Sequence, residues 1–163
     1  MPESNILWRI DDRLIHGQII IGWCSQLPIA ELIVCDDEIA ETEWETNLLL
    51  MAAPPEIPSS VLSISDTISR VREIVIQEIM VLILMKSPFT LQKILKRGTK
   101  IEKVNIGGIH FREDRSEFLS YLYLSEKEIK IFEELMGEGI RFECQDLPNS
   151  PVYNLEKLLE KKK

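Results

Sequence analysis

A chain of 163 residues with 45% apolar side chains is long enough to enclose one sizeable core and too apolar for a disordered chain. Its formal charge of -8 excludes a general nucleic-acid binder, which needs cationic surface to displace counterions. Two histidines and three cysteines without a Cys-x-x-Cys exclude a zinc site, and the longest fully apolar run, Ile79 to Met85, is far too short to cross a membrane.

In chain order, Ile6-Leu-Trp8 reads as a short strand. It runs into Arg9-Ile-Asp-Asp-Arg-Leu-Ile-His-Gly-Gln18, a polar stretch that reads as a strand-to-helix loop. Gly17 to Leu27 has helical spacing at Ile19, Ile20, Trp23, Cys24 and Leu27, and Pro28 ends it. Leu32 to Cys35 predicts a buried strand closed by Asp36-Asp37. Glu38 to Ala53 predicts one helix with Trp44, Leu48 and Met51 on its apolar face, stopped by Pro54-Pro55. Val61 to Ile64 is the next strand, and Ser65 or Asp66 is placed to cap a helix to Gln77 with Ile68, Val71 and Val75 inward.

Ile79 to Met85 is the clearest strand in the chain. Ser87-Pro88 starts a helix and Gly98 closes it. Val104 to Ile106 is a strand that turns out at Gly107-Gly108, and Phe118 to Leu124 has the content of another. Ser125-Glu-Lys-Glu128 matches a capping box for a helix to Met136 with Ile129, Phe132 and Leu135 inward. Ile140 to Gln145 is the last strand, followed by a loop, a short final helix and a solvated Lys161-Lys-Lys163 tail. Strands alternate with helices, so the expected fold is α/β: a single domain over residues 1–163 with a mostly parallel central sheet and helices on both faces. Its core spans about 5–146, with the C-terminal helix and tail over 152–163. Chemistry is expected in loops at the carboxyl ends of the strands: Asp11–His16, Asp36–Asp37, Lys86–Phe89 and Gly107–Phe111. The cysteines, Cys24, Cys35 and Cys144, lie among apolar neighbours and read as reduced thiols. No basic-then-apolar leader is visible, and the expected location is the cytoplasm.

The first loop holds the strongest constellation. His16 is a competent nucleophile near neutral pH and stands just before the helix that begins at Gly17, where free N–H groups favour a phosphate. Arg13 offers a bidentate fork to phosphate oxygens. Asp11 or Asp12 can fix the imidazole tautomer or hold Arg13. Gly17 admits close approach of backbone to a ligand. The residues themselves fit equally well a phosphohistidine, a general-base histidine, or a polar loop in which Asp11 pairs with Arg13 and His16 only caps the helix. No Gly-x-Gly-x-x-Gly follows the first strand and no Gly-x-x-x-x-Gly-Lys run occurs, which speaks against a dinucleotide or nucleotide site.

Arg9-Ile-Asp-Asp-Arg-Leu-Ile-His-Gly-Gln18 resembles the active-site signature of the IIB components of the mannose/fructose/sorbose family of bacterial sugar phosphotransferase systems. Ile33-Val-Cys-Asp-Asp-Glu38, Ala52-Ala-Pro-Pro55 and Val104-Asn-Ile-Gly-Gly108 with Phe111 are similar to family segments in the same order, so the likeness covers roughly Ile6 to Phe142. The resemblance implies a cytoplasmic phosphocarrier, peripheral at the inner face of the membrane through its partners. His16 would accept a phosphoryl group at Nδ1 from a phosphohistidine of a IIA partner. It would pass the group to a sugar imported by membrane IIC and IID subunits. Arg13 matches the phosphate-neutralising arginine and Asp11 the neighbouring acid. Asp12, Leu14, Ile15, Gly17 and Gln18 complete the phosphate-binding loop, and no cofactor or metal is implied. Ser87, which caps a helix, and His110, in the Gly-Gly turn, are lesser candidates. The chain departs from the family at Phe111-Arg-Glu-Asp-Arg-Ser-Glu-Phe118, where members often carry Gly-Lys and a glutamine. That departure motivates an alternative: a regulatory phosphoacceptor not coupled to transport. Genes for IIC and IID beside this one would favour transport.

Overall fold

The computed structural model describes residues 5–162. Seven strands form one sheet in the order β3-β2-β4-β1-β5-β8-β9. They are β1 (Ile6–Ile10), β2 (Ile29–Cys35), β3 (Ser59–Leu62), β4 (Met80–Met85), β5 (Lys103–Ile106), β8 (Arg141–Cys144) and β9 (Tyr153–Asn154). All neighbours are parallel except β9, which runs antiparallel to β8. β6 (Ser116–Leu119) and β7 (Leu122–Leu124) form a separate antiparallel hairpin. The single strand expected over Phe118 to Leu124 is therefore two short ones with a turn between them.

The sheet is buried on both faces, as parallel sheets are. From Val81 to Met85 no side chain reaches solvent, and each such side chain contributes about 1.5–3 kcal/mol on burial. Alternation along β1 and β4 sends Trp8, Ile10, Ile83 and Met85 to one layer and Leu82 and Leu84 to the other. The first layer is closed by α3 (Ile64–Gln77), α4 (Pro88–Lys96), α5 (Glu126–Gly137) and α6 (Leu155–Lys161). The second is closed by a helix starting at Gly17, whose segment Ile19–Cys24 is π-helical, with α1 (Asp37–Ala40) and α2 (Glu43–Met51) beside it. π-segments widen a helix locally and recur at functional sites.

Three expectations about helices are corrected. The helix expected over Glu38 to Ala53 breaks between α1 and α2. The break turns Leu49 toward the sheet and leaves Trp44, Leu48 and Met51 exposed at 67%, 57% and 82%, so no buried face accounts for Trp44. α3 is capped by Ser63, whose hydroxyl accepts the Asp66 N–H at 3.0 Å, and not by Ser65 or Asp66. Ile64 is buried as the first helical residue, which draws the start inward, and Ile74 instead of Val75 faces the core. At the C-terminus, Lys162 is not freely solvated: its ammonium donates to the Glu117 carbonyl and lies 4.6 Å from the Phe118 ring centroid. Lys163 lies outside the described residues.

Candidate functional site

β1 lies between β4 and β5, and its carboxyl end delivers the first loop to the edge where β4 and β5 also end. The loop is stitched to both neighbours. Asp11 N–H donates to the Met85 carbonyl at 2.9 Å, Asp12 N–H to the Gly108 carbonyl at 2.8 Å, and Gly107 N–H to the Ile10 carbonyl at 2.8 Å. Leu14 takes a left-handed conformation with φ of 57°, which a non-glycine residue adopts only when its surroundings compel it. The compulsion is visible: Leu14 and Ile15 plunge into the apolar layer with Ile19 and Trp23. Their side chains are therefore anchors, and the loop's exposed face is made by backbone and by its polar residues.

Asp11 sits at the centre, fully buried. It accepts the Arg13 N–H at 3.2 Å and the Gly108 N–H at 3.3 Å. His16 Nε2 lies 3.2 Å from Asp11 Oδ2 in a bent contact, and no better-aligned partner reaches it. Burial pushes the Asp11 carboxyl up, but His16 and then Arg9 outweigh that, and it lies below the usual carboxylate value. A charged Asp11 facing Nε2 leaves Nδ1 as the imidazole nitrogen turned away from the carboxylate.

Arg13 is 44% exposed, 3.9 Å from Asp11 Oδ1, and donates to Gln18 Oε1 at 3.1 Å. Its fork is thus carried at the surface beside His16, partly pre-positioned by Gln18. Gly17 begins the helix, and a Cβ there would meet nothing within 4 Å, so the space above it is open. The first-turn N–H groups have no intrahelical acceptors, as at any helix start.

Arg9 is the residue for which sequence reasoning assigned no role. It belongs to the strand, not to the loop, and is almost wholly buried. Its guanidinium lies 4.5 Å from the Trp23 ring centroid. It donates to the Asn105 side-chain oxygen, to the Gln145 carbonyl at 2.9 Å and to the Asp146 carbonyl at 3.0 Å, and it stands 3.6 Å from Asp11. Burial lowers its pKa to about 10 against the pull of Asp11 and Asp146, so it remains a cation near neutrality. A Cβ at Gly107 would overlap that guanidinium, which is why glycine stands there. An arginine on the apolar alternation of a central strand was the available signal, because a buried charge needs a partner.

The other predicted loops divide. Asp36 caps α1 by accepting the Ile39 N–H at 2.9 Å, and Asp37 accepts the Ile64 N–H at 2.7 Å, so that pair is structural. Ser87 occupies the cap position of α4 at the same edge, but its hydroxyl makes no capping hydrogen bond, contrary to expectation. His110 comes to the loop through Asp12: Nδ1 is 2.6 Å from Asp12 Oδ1, and its backbone N–H donates to Oδ2 at 2.8 Å. Among the described residues no cluster of His, Cys, Asp or Glu is arranged to hold a metal ion, and no helix is long and apolar enough to cross a membrane.

A family profile described as the PTS (phosphotransferase system) sorbose subfamily IIB component matches residues 5–163. The chain belongs to that family. As a IIB chain it is similar to the fructose-specific EIIB component of Bacillus subtilis (strain 168), with 30% identity over 154 residues that cover 94% of each protein. It shares 30% identity over 155 residues with the mannose-specific EIIAB component of Escherichia coli (strain K12), covering 95% of this chain but 48% of that longer protein. The crystal structure of the IIBSor domain of the sorbose permease from Klebsiella pneumoniae superposes with a TM-score of 0.86 at 28% identity. That match covers 97% of this IIB chain and 98% of the other. The parallel α/β architecture and its membership of the sugar phosphotransferase system agree with what the first-loop signature implies.

Proposed function

We propose that this IIB chain is a cytoplasmic phosphocarrier whose His16 Nδ1 takes a phosphoryl group from a phosphohistidine of a IIA partner. It then hands the group to a sugar delivered by membrane IIC and IID subunits. The observation that carries the reading is the buried Asp11 carboxylate 3.2 Å from His16 Nε2. A carboxylate there keeps the imidazole proton on Nε2 and presents the Nδ1 lone pair for attack. As the new N–P bond forms and the donor's N–P bond breaks, the ring gains positive charge, which Asp11 stabilises. Phosphoryl transfer otherwise asks for positioning and cationic surroundings. Arg13 and the N–H groups of the Gly17 helix start supply the positive ends for the equatorial oxygens. The fusion named in the EIIAB relative supports a IIA partner.

The test is labelling with phosphoenolpyruvate, the general phosphotransferase proteins and a mannose-type IIA. Wild-type protein should acquire one acid-labile phosphate, and His16→Ala none. Equal labelling of His16→Ala would refute the assignment.

A further inference from the structure

Besides the Asp11–His16 pair, the neighbouring aspartate holds a second carboxylate–imidazole pair, Asp12–His110, that the proposed chemistry does not use. Its Nδ1–Oδ1 separation of 2.6 Å is short, and the carboxylate can only accept, so His110 supplies the proton from Nδ1. The pair is braced from behind. Arg115 donates to the His110 carbonyl at 2.7 Å and to Glu128 at 2.8 Å, and lies 3.8 Å from Asp12. Glu128 is buried at the first turn of α5, where it also accepts from the Ser125 hydroxyl at 2.9 Å. The segment that departs from the family pattern is thus tied through Arg115 to the active-site loop.

We infer that His110 is a positioning residue: by gripping Asp12 it holds the loop whose strained Leu14 carries His16 into place. The physical need is specific. A left-handed Leu14 relaxes unless both ends of its turn are over-determined. Burial of Leu14 and Ile15 in the apolar layer holds the C-terminal side; the N-terminal side is held by Asp11, through Arg13 N–H and Gly108 N–H, and by Asp12, through His110. Small displacements of a nucleophile cost transfer rate more than partner affinity. This rests on His16 being the acceptor for its kinetic readout, but the loop readout stands independently.

The experiment compares His110→Ala with His110→Asn, because the asparagine amide offers an N–H near the place of Nδ1–H and nothing at Nε2. In His110→Ala, phosphoryl transfer from IIA to His16 should slow about tenfold in kcat with KM for IIA unchanged. Exchange of the Arg13 and Leu14 amides, which donate to the Asp11 carboxylate and the Asp11 carbonyl, should accelerate about tenfold in the unphosphorylated protein, the loss expected for one charge-assisted hydrogen bond. His110→Asn should restore both. In an Asp12→Ala background, His110→Ala should add no further loss. Wild-type rate and exchange in His110→Ala would overturn the inference. So would a His110→Asn protein as slow as His110→Ala, which would make Nε2 a direct contact. Failure of wild-type protein to be labelled on His16 would instead overturn the function, with the exchange result unaffected.

Discussion

Replacing Arg9 by methionine separates charge from shape beneath the site. Methionine keeps a long apolar stem, so the substitution removes the guanidinium together with its cation–π contact to Trp23. The Asn105 side chain and the carbonyls of Gln145 and Asp146 lose their donor, and Asp11 loses a cation 3.6 Å away. Removing one member of a buried ion pair costs about 3–5 kcal/mol, and orphaned carbonyls belong to the same penalty once water enters. A loss of about 4 kcal/mol is a large part of a stability of about 5–15 kcal/mol. With a urea slope of about 2 kcal/mol per molar, the midpoint should fall by roughly 2 M. Equilibrium unfolding followed by circular dichroism and tryptophan fluorescence measures it. The Arg9→Met/Asp11→Asn double variant should be less destabilised than the two single losses together, because an unpaired buried carboxylate no longer remains. A midpoint shift below about 0.5 M, or strict additivity, would refute the view that Arg9 neutralises and orders the floor of the site.

Glu78 ends α3 exposed and in the left-handed region with φ of 56°. Glu78→Gly should therefore raise stability by about 1 kcal/mol, or about 2–4 °C in Tm; a lower Tm would contradict the strain argument. Asp11 has a depressed folded pKa. Its contribution is present above its unfolded value near 3.9 and is lost as pH falls through the folded one. The unfolding midpoint of Asp11→Asn measured between pH 2.5 and 6 should fall less steeply with acid than that of the wild type, and parallel curves would show that Asp11 is not linked to folding.

Periodicity and punctuation determined much of this protein. The apolar run Ile79 to Met85, the Ser125–Glu128 capping box, the Pro88 helix start and the Gly98 stop are local signals, and each element formed where its own residues favour it. The alternation of those elements determined the parallel α/β class, and the signature Arg9 to Gln18 marked the loop in which His16, Asp11 and Arg13 meet. Whatever depended on distant chain was decided by tertiary structure. Arg9 meets Asn105 across 96 positions and Asp12 meets His110 across 98, so neither pairing leaves a local pattern. Trp44, Leu48 and Met51 have helical spacing, yet they face solvent because the break before α2 turns Leu49 inward. Leu14 and Ile15 lie in a polar signature, yet burial beside Trp23 makes them its anchors. Sequence spacing says which side chains share a face; only the packed sheet says which way that face turns, because burial is a property of the neighbours and not of the residue.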